Sequence, residues 1–404
     1  MAKGFLIVDV YLDDGATPVD GATVTITGDG YKETYTTDES GKTSKIELDA
    51  PETEYSIKPQ YEIRPYSKYD VKAEKKGLNA VTIKGVQIFP DDTSIQDIYM
   101  KKKPNTMEVL TLPEHELWES SGEKIPENPI KDDPSDLERV LPNVIIPEYI
   151  IVHDGTIAQT NAPRRIVTFI DYIKNVASSE IFSTWHRESI KANVHAIVSF
   201  TLNRIYTEWY RGLGHTYTIT SSPAHDQKFT YNRTIFQSIS NVVDEYFRYF
   251  IRLEGMRQPF LAQYNDGIKT NNRNWLSQWG SQEMALRGVK AIDILKHYYT
   301  RNLALHVAPV VIGLPNSFPG VALRIGSCGQ DVQTTQIWLN RIRTHYPAIP
   351  AISPADGQYG QSTANAVRIY QRTFNIPQTG VIDIATWFSI SRRFTAIARL
   401  AAGL

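Results

Sequence analysis

The chain has 404 residues, 41% hydrophobic and 11% aromatic, enough for roughly two to four domains with real cores. Its 43 basic and 44 acidic residues leave a formal charge of −1, which argues against nucleic acid or an anionic membrane as partner. Cys328 is the only cysteine, so an internal disulfide and a cysteine-rich metal site are excluded.

The opening MAKGFLIVDVYLDDG carries one early lysine and a short apolar run that alternates like a strand. It reads as neither a signal peptide nor a transmembrane helix, so synthesis and folding in the cytoplasm are expected. Residues 1–103 read as all-β. Phe5, Ile7, Val10 and Leu12, then Val24, Ile26, Tyr35, Ile46 and Leu48 fall in short runs. Asp14-Gly15, Asp20-Gly21, Asp29-Gly30 and Ser40-Gly41 separate those runs as turns.

Residues 104–147 change character. Prolines such as Pro113, Pro126, Pro129 and Pro134 break the segment, and acids from Glu114 to Asp136 dominate it. Such a stretch buries too little apolar surface to order itself, so it reads as an exposed linker. A plain spacer explains the composition; a protease-accessible segment explains it too.

Residues 148–310 read as α+β, with long helical patterns over 165–212 and 232–253. Ile170, Ile173, Val176, Ala177 and Ile181 make one apolar stripe, and Glu180 falls on it. A carboxylate against an apolar wall has its charged form disfavoured, which is how a glutamate becomes a proton donor near neutral pH. The spacing by itself fits better a glutamate whose flexible stem carries its head to water. Tyr206, Trp209 and Tyr210 follow at helical spacing, which suits core contacts better than sugar stacking.

Residues 318–404 read as a compact helical module. Asp331 stands at a capping position, with Val332, Ile337, Leu339 and Ile342 on the buried side of the first helix. Asp356-Gly357 and Gly380 mark turns.

Several of these words resemble known families. Pro18-Val19-Asp20-Gly21 with Thr37–Gly41 resembles the carboxypeptidase-regulatory, transthyretin-like β-sandwich. LRIGSCGQDVQTTQIWLNRI, DGQYGQSTANAVRIYQRTFNI and TGVIDIATWFSI together resemble the three-helix peptidoglycan-binding domain. VTFIDYIKNVASSE, followed by Lys191-Ala192-Asn193, resembles the SpoIID-like family of peptidoglycan lytic transglycosylases. That likeness continues around Asp226 and Gln227 and into Ser277-Gln278-x-Gly280. It implies Glu180 as the catalytic acid and base, and Ser179, Lys191, Gln227, Ser277 and Gln278 as substrate-binding residues. The family's His-Gly-x-Gly is here Asn272-Arg273-Asn274-Trp275. No cysteine stands where some relatives hold zinc. His186, His195, His215 and His225 lack ligand spacing, so no metal and no cofactor are expected.

The order of modules, with RPYSKYDV, SSEIFSTW, LNRIYTEWYR and LNRIRTHYP, resembles the clostridial spore cortex-lytic enzyme precursors. That resemblance implies a β-sandwich prosegment, a central SpoIID-like domain and a C-terminal binding domain. It also implies synthesis in the mother cell without a signal peptide and storage near the cortex and coat. A subtilisin-like germination protease would then cut between Ser120 and Leu141, and the sandwich would cover the cleft of Glu180 until that cut. Cortex peptidoglycan is the expected partner.

Glycosidic hydrolysis calls for two carboxylates, and Asp171, Glu188 and Asp226 are the candidates beside Glu180. Asp171 is nine residues earlier on the same helix, about 13 Å up its axis and out of reach. One acid suffices for lytic transglycosylation. Two rival readings stand: a non-catalytic peptidoglycan anchor of spore coat or phage tail, and a muramoyl-alanine amidase.

Overall fold

Alternating burial builds the first two sheets. The computed structural model describes residues 2–401 apart from 14, 61, 120, 121, 123, 131–143, 216, 312–318 and 320. In the first strand, Ala2–Leu12, the side chains of Leu6, Val8 and Val10 point inward and are fully buried. This strand runs parallel to Thr93–Met100 and antiparallel to Ile46–Ala50. The facing five-stranded sheet is ordered Tyr31–Thr36, Thr23–Gly28, Ser67–Glu74, Ala80–Ile88, Met107–Thr111. Val24, Ile26, Val71, Ala73 and Ile83 close the shared core from that side.

Two features depart from the sequence reading. Met107–Thr111 pairs in parallel with Ala80–Lys84, so a strand lies beyond residue 103, inside the span read as linker. Met107 and Val109 stay exposed there; an edge strand is held by backbone pairing on one side, which leaves little hydrophobic pattern to read. On the other sheet, Ile235–Phe236 from the central region pairs antiparallel with Ser94–Ile95. The two regions therefore share a sheet as well as a surface.

The central region is organised around one helix, Arg187–Tyr206, buried along nearly its whole length. A helix without an exposed face belongs in a core, and four longer helices pack on it, Phe169–Glu180, Gln237–Tyr246, Gln278–Leu286 and Ala291–Tyr298, with the short Trp209–Gly212 beside its end. Several of its buried polar groups are paired across to neighbouring elements. Asn193 Nδ2 donates to Ser281 Oγ at 2.8 Å, and Thr201 Oγ1 donates to Gln227 Oε1 at 2.8 Å. The helical pattern expected over 165–212 is divided. Arg164–Thr168 is a strand, and the helix ends at Glu180, where Ile181 turns extended. The chain then passes Trp185, whose indole N–H donates to Ser56 O at 2.9 Å, before His186 caps the next helix. Likewise Tyr249–Leu253 is a strand paired with Leu303–Val307 and not a helix, because a partner strand overrides periodicity in an aromatic and β-branched run.

In the C-terminal part, Gln330–Ile342, Gln361–Thr373 and Ile384–Ala401 are helices. Two glutamines pin the intervening turns in the same way. Gln336 Oε1 accepts from Gly357 N and Gln371 Oε1 from Gly380 N, at 2.9 and 2.8 Å, while their amide groups donate to Gln358 O and Val381 O. Gly357 has φ 74°, and a Cβ there would lie 2.9 Å from Gly329 O. Tyr359 and Trp387 lie in the core of this part. Tyr346 OH donates to Ala16 O, in the turn after the first strand, at 2.9 Å, so this part also packs on the sandwich.

Candidate active site

Thr168 caps the helix Phe169–Glu180 by accepting from Asp171 N. Ile173, Val176 and Ala177 anchor its inner face, and Glu180 ends it, 1% exposed. The carboxylate does lie on the buried stripe, but the wall it meets is polar. Lys228 N donates to Oε1 at 2.9 Å and Tyr264 OH donates to the same oxygen at 3.2 Å. Gln278 Nε2 donates to Oε2 at 3.3 Å and to the Glu180 carbonyl at 3.1 Å. A short parallel pair, Tyr264–Asn265 with Leu276–Ser277, brings Tyr264 and Gln278 to the helix end together. The helix stripe alone carries no sign of that pair, which is why an apolar wall was expected.

The other residues expected at the site take different places. Gln278 touches Glu180. Gln227 is fully buried and accepts from Tyr172 OH and Thr201 Oγ1 while donating to Ile197 O; it holds the backbone that presents Lys228 N. Ser277 caps the helix Gln278–Leu286 by accepting from Gly280 N at 2.9 Å. Ser179 is buried on the helix itself, and its carbonyl accepts from Glu116 N at 3.2 Å. Lys191 is not brought to Glu180: its ammonium lies over the Tyr246 ring, 4.1 Å from the centroid. Helical rotation separates it from Ser189 and Asn193, which face the Gln278–Leu286 helix.

The three candidate second carboxylates are engaged elsewhere. Asp171 pairs with Arg392 of the C-terminal helix, which together with the Thr168 hydroxyl holds its carboxyl below the usual range against the opposing effect of burial. Glu188 accepts from Ala291 N at 2.8 Å. Asp226 is a buried hub. Its Oδ1 accepts from Arg204 Nε at 2.7 Å, and its Oδ2 accepts from Tyr210 OH, Thr220 N and Thr220 Oγ1 at 2.5, 2.9 and 2.6 Å. Tyr210 is core accordingly, with its phenol pushed well up by burial and by Asp226.

What covers Glu180 is the segment read as linker, not the sandwich. Lys124 Nζ stands 3.6 Å from Glu180 Oε1 and 3.8 Å over the Tyr264 ring. Ile125 N donates to Ala224 O at 2.7 Å, and Leu261 N donates to Pro129 O at 3.0 Å. Gln263 grips the segment on either side of Pro126, accepting from Glu127 N and donating to Ile125 O, each at 2.9 Å. Arg204 Nη1 and Nη2 grip the Glu127 carboxylate at 3.0 and 2.5 Å. Residues 124–130 thus form a strap across the site. The sandwich meets the same helix end from the side, through Ser56 at Thr184 and Trp185 and through Asp92 at Ser238. Within the expected cleavage window only Gly122 and residues 124–130 are described; Ser120, Leu141 and the rest lie outside the described residues. Among the described residues no three His, Cys, Asp or Glu side chains converge as a metal-binding group.

Residues 328–389 match the family model of the peptidoglycan-binding domain, so this part of the chain is such a domain. No curated protein matches the chain. Among solved structures, one similar chain is the SleB N-terminal domain, at 23% identity over 19% of this chain and 99% of that one, with a TM-score of 0.17. Another is a cohesin–X-dockerin complex from Acetivibrio cellulolyticus, at 14% identity over 26% of this chain and 56% of that one, with a TM-score of 0.16. At such scores neither likeness bears on fold or function.

Proposed function

We propose that the chain is a lytic transglycosylase of spore cortex peptidoglycan, made as a zymogen and activated by proteolysis in the linker during germination. The peptidoglycan-binding domain supports the polymer as partner. The resemblance of the central words to SpoIID-like transglycosylases supports the reaction. The observation that carries the reading is the buried Glu180, presented at a helix end by Tyr264, Gln278 and Lys228 N, while Asp171, Glu188 and Asp226 are all tied up elsewhere.

One acid is enough for this chemistry. Glu180 gives its proton to the bridging oxygen as the C1–O bond breaks. The substrate's own 6-hydroxyl then attacks C1, and the Glu180 carboxylate takes the hydroxyl proton, which closes an anhydro ring and restores the acid. Gln278 and Tyr264 hold the carboxyl orientation through both steps. In the intact chain the Lys124 ammonium is matched to a carboxylate and fills the approach, so neither step can begin until the strap leaves. Storage beside the cortex would bring enzyme and substrate together, with a subtilisin-like protease as the trigger.

The test is release of anhydro-muropeptides from cortex fragments by protein cut in the linker. Glu180→Gln in the cut protein should lose roughly 100-fold or more in rate with its fold intact; a near wild-type rate would remove Glu180 from the role. The anchoring reading is favoured by one observation, the replacement of His-Gly-x-Gly by residues 272–275. Failure of cut wild-type protein to release anhydro products, while it still binds cortex, would establish that reading. A carboxyl flanked by amide and phenol groups lends the amidase reading no support.

A further inference from the structure

Besides its backbone bonds the strap is held at two charged points, and one of them has the form of a ligand site occupied from within. Arg204 is a fully buried arginine with two sets of bonds. One set is internal to the central region: Nε donates to Asp226 Oδ1 at 2.7 Å and Nη2 to His225 O at 2.9 Å. Asp226 is itself fixed by Tyr210 and Thr220, and the guanidinium packs on Phe200 and Trp209 at 4.9 and 5.4 Å from the ring centroids. None of these partners belongs to the strap, so the fork stays aimed when the strap goes. The other set is the bidentate grip on Glu127, the geometry for which an arginine fork is suited. Beside it, Gln263 satisfies one peptide N–H and one peptide carbonyl of the same segment.

We propose that Arg204 and Gln263 form a carboxylate-and-amide subsite that takes an acidic stem peptide of peptidoglycan, and that Glu127 of the strap occupies it in the intact chain as an internal surrogate. This rests on the reading of Glu180 as the glycan-cleaving acid, since Lys228 N, two residues from Asp226, is what orients Glu180. The present occupant is a peptide segment whose own amide is adjacent to its carboxylate, which favours the stem peptide. The lactyl carboxylate and acetamide of muramic acid carry the same two groups, so they are the source to be separated from it. The strap blocks the site chemically as well as sterically: it places an ammonium at the acid and a carboxylate in the fork.

The experiment measures binding, not turnover. The full chain is made with residues 124–130 replaced by a Gly-Ser linker of equal length, and separately as Glu127→Ala, which removes only the carboxylate. N-acetyl-L-alanyl-D-glutamate, its diamide and N-acetylmuramic acid are titrated by calorimetry. A tethered carboxylate competes at millimolar effective concentration, so the strap-replaced protein should bind the dipeptide acid roughly tenfold or more tighter than the wild type. Glu127→Ala should give part of that gain. Arg204→Lys added to the strap replacement should lose it again in protein that circular dichroism shows to be folded, because a lysine keeps the charge and not the fork. Equal binding of acid and diamide, or no gain on strap replacement, overturns the subsite. Binding of N-acetylmuramic acid in place of the dipeptide overturns the stem-peptide assignment. Adding Glu180→Gln leaves the titration unchanged if the subsite is real, so a failure of the catalytic reading shows in the anhydro-product assay alone.

Discussion

Replacing Lys124 by Met should switch on part of the activity without any cut. The methionine keeps the length of the side chain and its packing on Tyr264, and it removes only the ammonium that faces Glu180. At 3.6 Å and an effective dielectric of about 20, the attraction is about 5 kcal/mol. Burying both ions takes back more than half of that, leaving roughly 2 kcal/mol. Ordering the strap costs about 1 kcal/mol per residue or more, and each of its amide hydrogen bonds returns about 1 kcal/mol, so the charged contacts decide whether it stays closed. Losing roughly 2 kcal/mol raises the open fraction about 30-fold. The assay is release of anhydro-muropeptides from cortex fragments by uncut protein, alongside hydrogen exchange at residues 124–130. The uncut variant should be about 30-fold more active than the uncut wild type, with faster exchange at Ile125 and Glu127. Equal activity and unchanged exchange would show that Lys124 is no latch, and that closure depends on Glu127 or on the masking of the glycan path elsewhere.

Gly280→Ala should cost about 1–3 kcal/mol in denaturant unfolding, because a Cβ there would stand 1.9 Å from Tyr298 OH and 2.9 Å from Ser277 Oγ; no change in midpoint would mean the helix start can shift. Trp387→Ala empties the core of the peptidoglycan-binding domain, where the ring is fully buried. It should cost about 3–5 kcal/mol, so calorimetry should show the domain melting early, with cortex binding lost only once it unfolds. Burial lowers His195 to about 4, whereas the unfolded value is about 6.5. The unfolded chain therefore binds the extra proton between these values, and stability falls as pH drops from about 6.5 toward 4, by up to about 3 kcal/mol from this group. Thermal melts of His195→Asn should show a correspondingly flatter acid limb; an identical slope would assign it to His115, whose imidazole burial also pushes far down.

How much of this was legible depends on how local each signal is. Glu180 and Gln278 stand inside contiguous words, and the structure does place them in contact. Gln227 and Ser277 stand in words of the same kind, yet their side chains are consumed by the scaffold, as a brace and a helix cap. Sequence identifies the neighbourhood and cannot separate the residue that touches substrate from the one that holds it. Tyr264 was invisible because a two-residue parallel strand has no period, and its partner strand comes later in the chain. Arg204 read as one more helical residue, since its meaning lies in Asp226 and Glu127, both far away in sequence. Acids and prolines around 104–147 concealed both an edge strand and the strap. Composition reports the average tendency of a segment to order itself, and it is silent on a few residues held by partners elsewhere.

The same contacts change the expected fate of the sandwich after cleavage. A weakly held cover would leave once its tether is cut. Here Tyr66, Phe89 and Leu117 belong to the same core as Phe182 and Phe236, and Ile235–Phe236 is a strand of the sandwich's own sheet. Arg233 is buried between the two regions, donating to Gln87 Oε1 at 2.6 Å and to Ser178 O at 3.1 Å. Pulling these apart would strand a buried guanidinium and expose a ring cluster, which resembles opening a domain core more than releasing a lid. Cutting the chain beside the strap is different. It leaves the strap attached at one end only, so its ordering entropy is no longer offset by the fixed path of the chain on both sides. The cut protein should therefore elute from size exclusion as a two-piece complex of unchanged volume, with the strap exchanging freely and Glu180 open, and separate only in denaturant. Fragments that part in native buffer would show that the shared core is weaker than its burial implies, and would return the covering role to the sandwich.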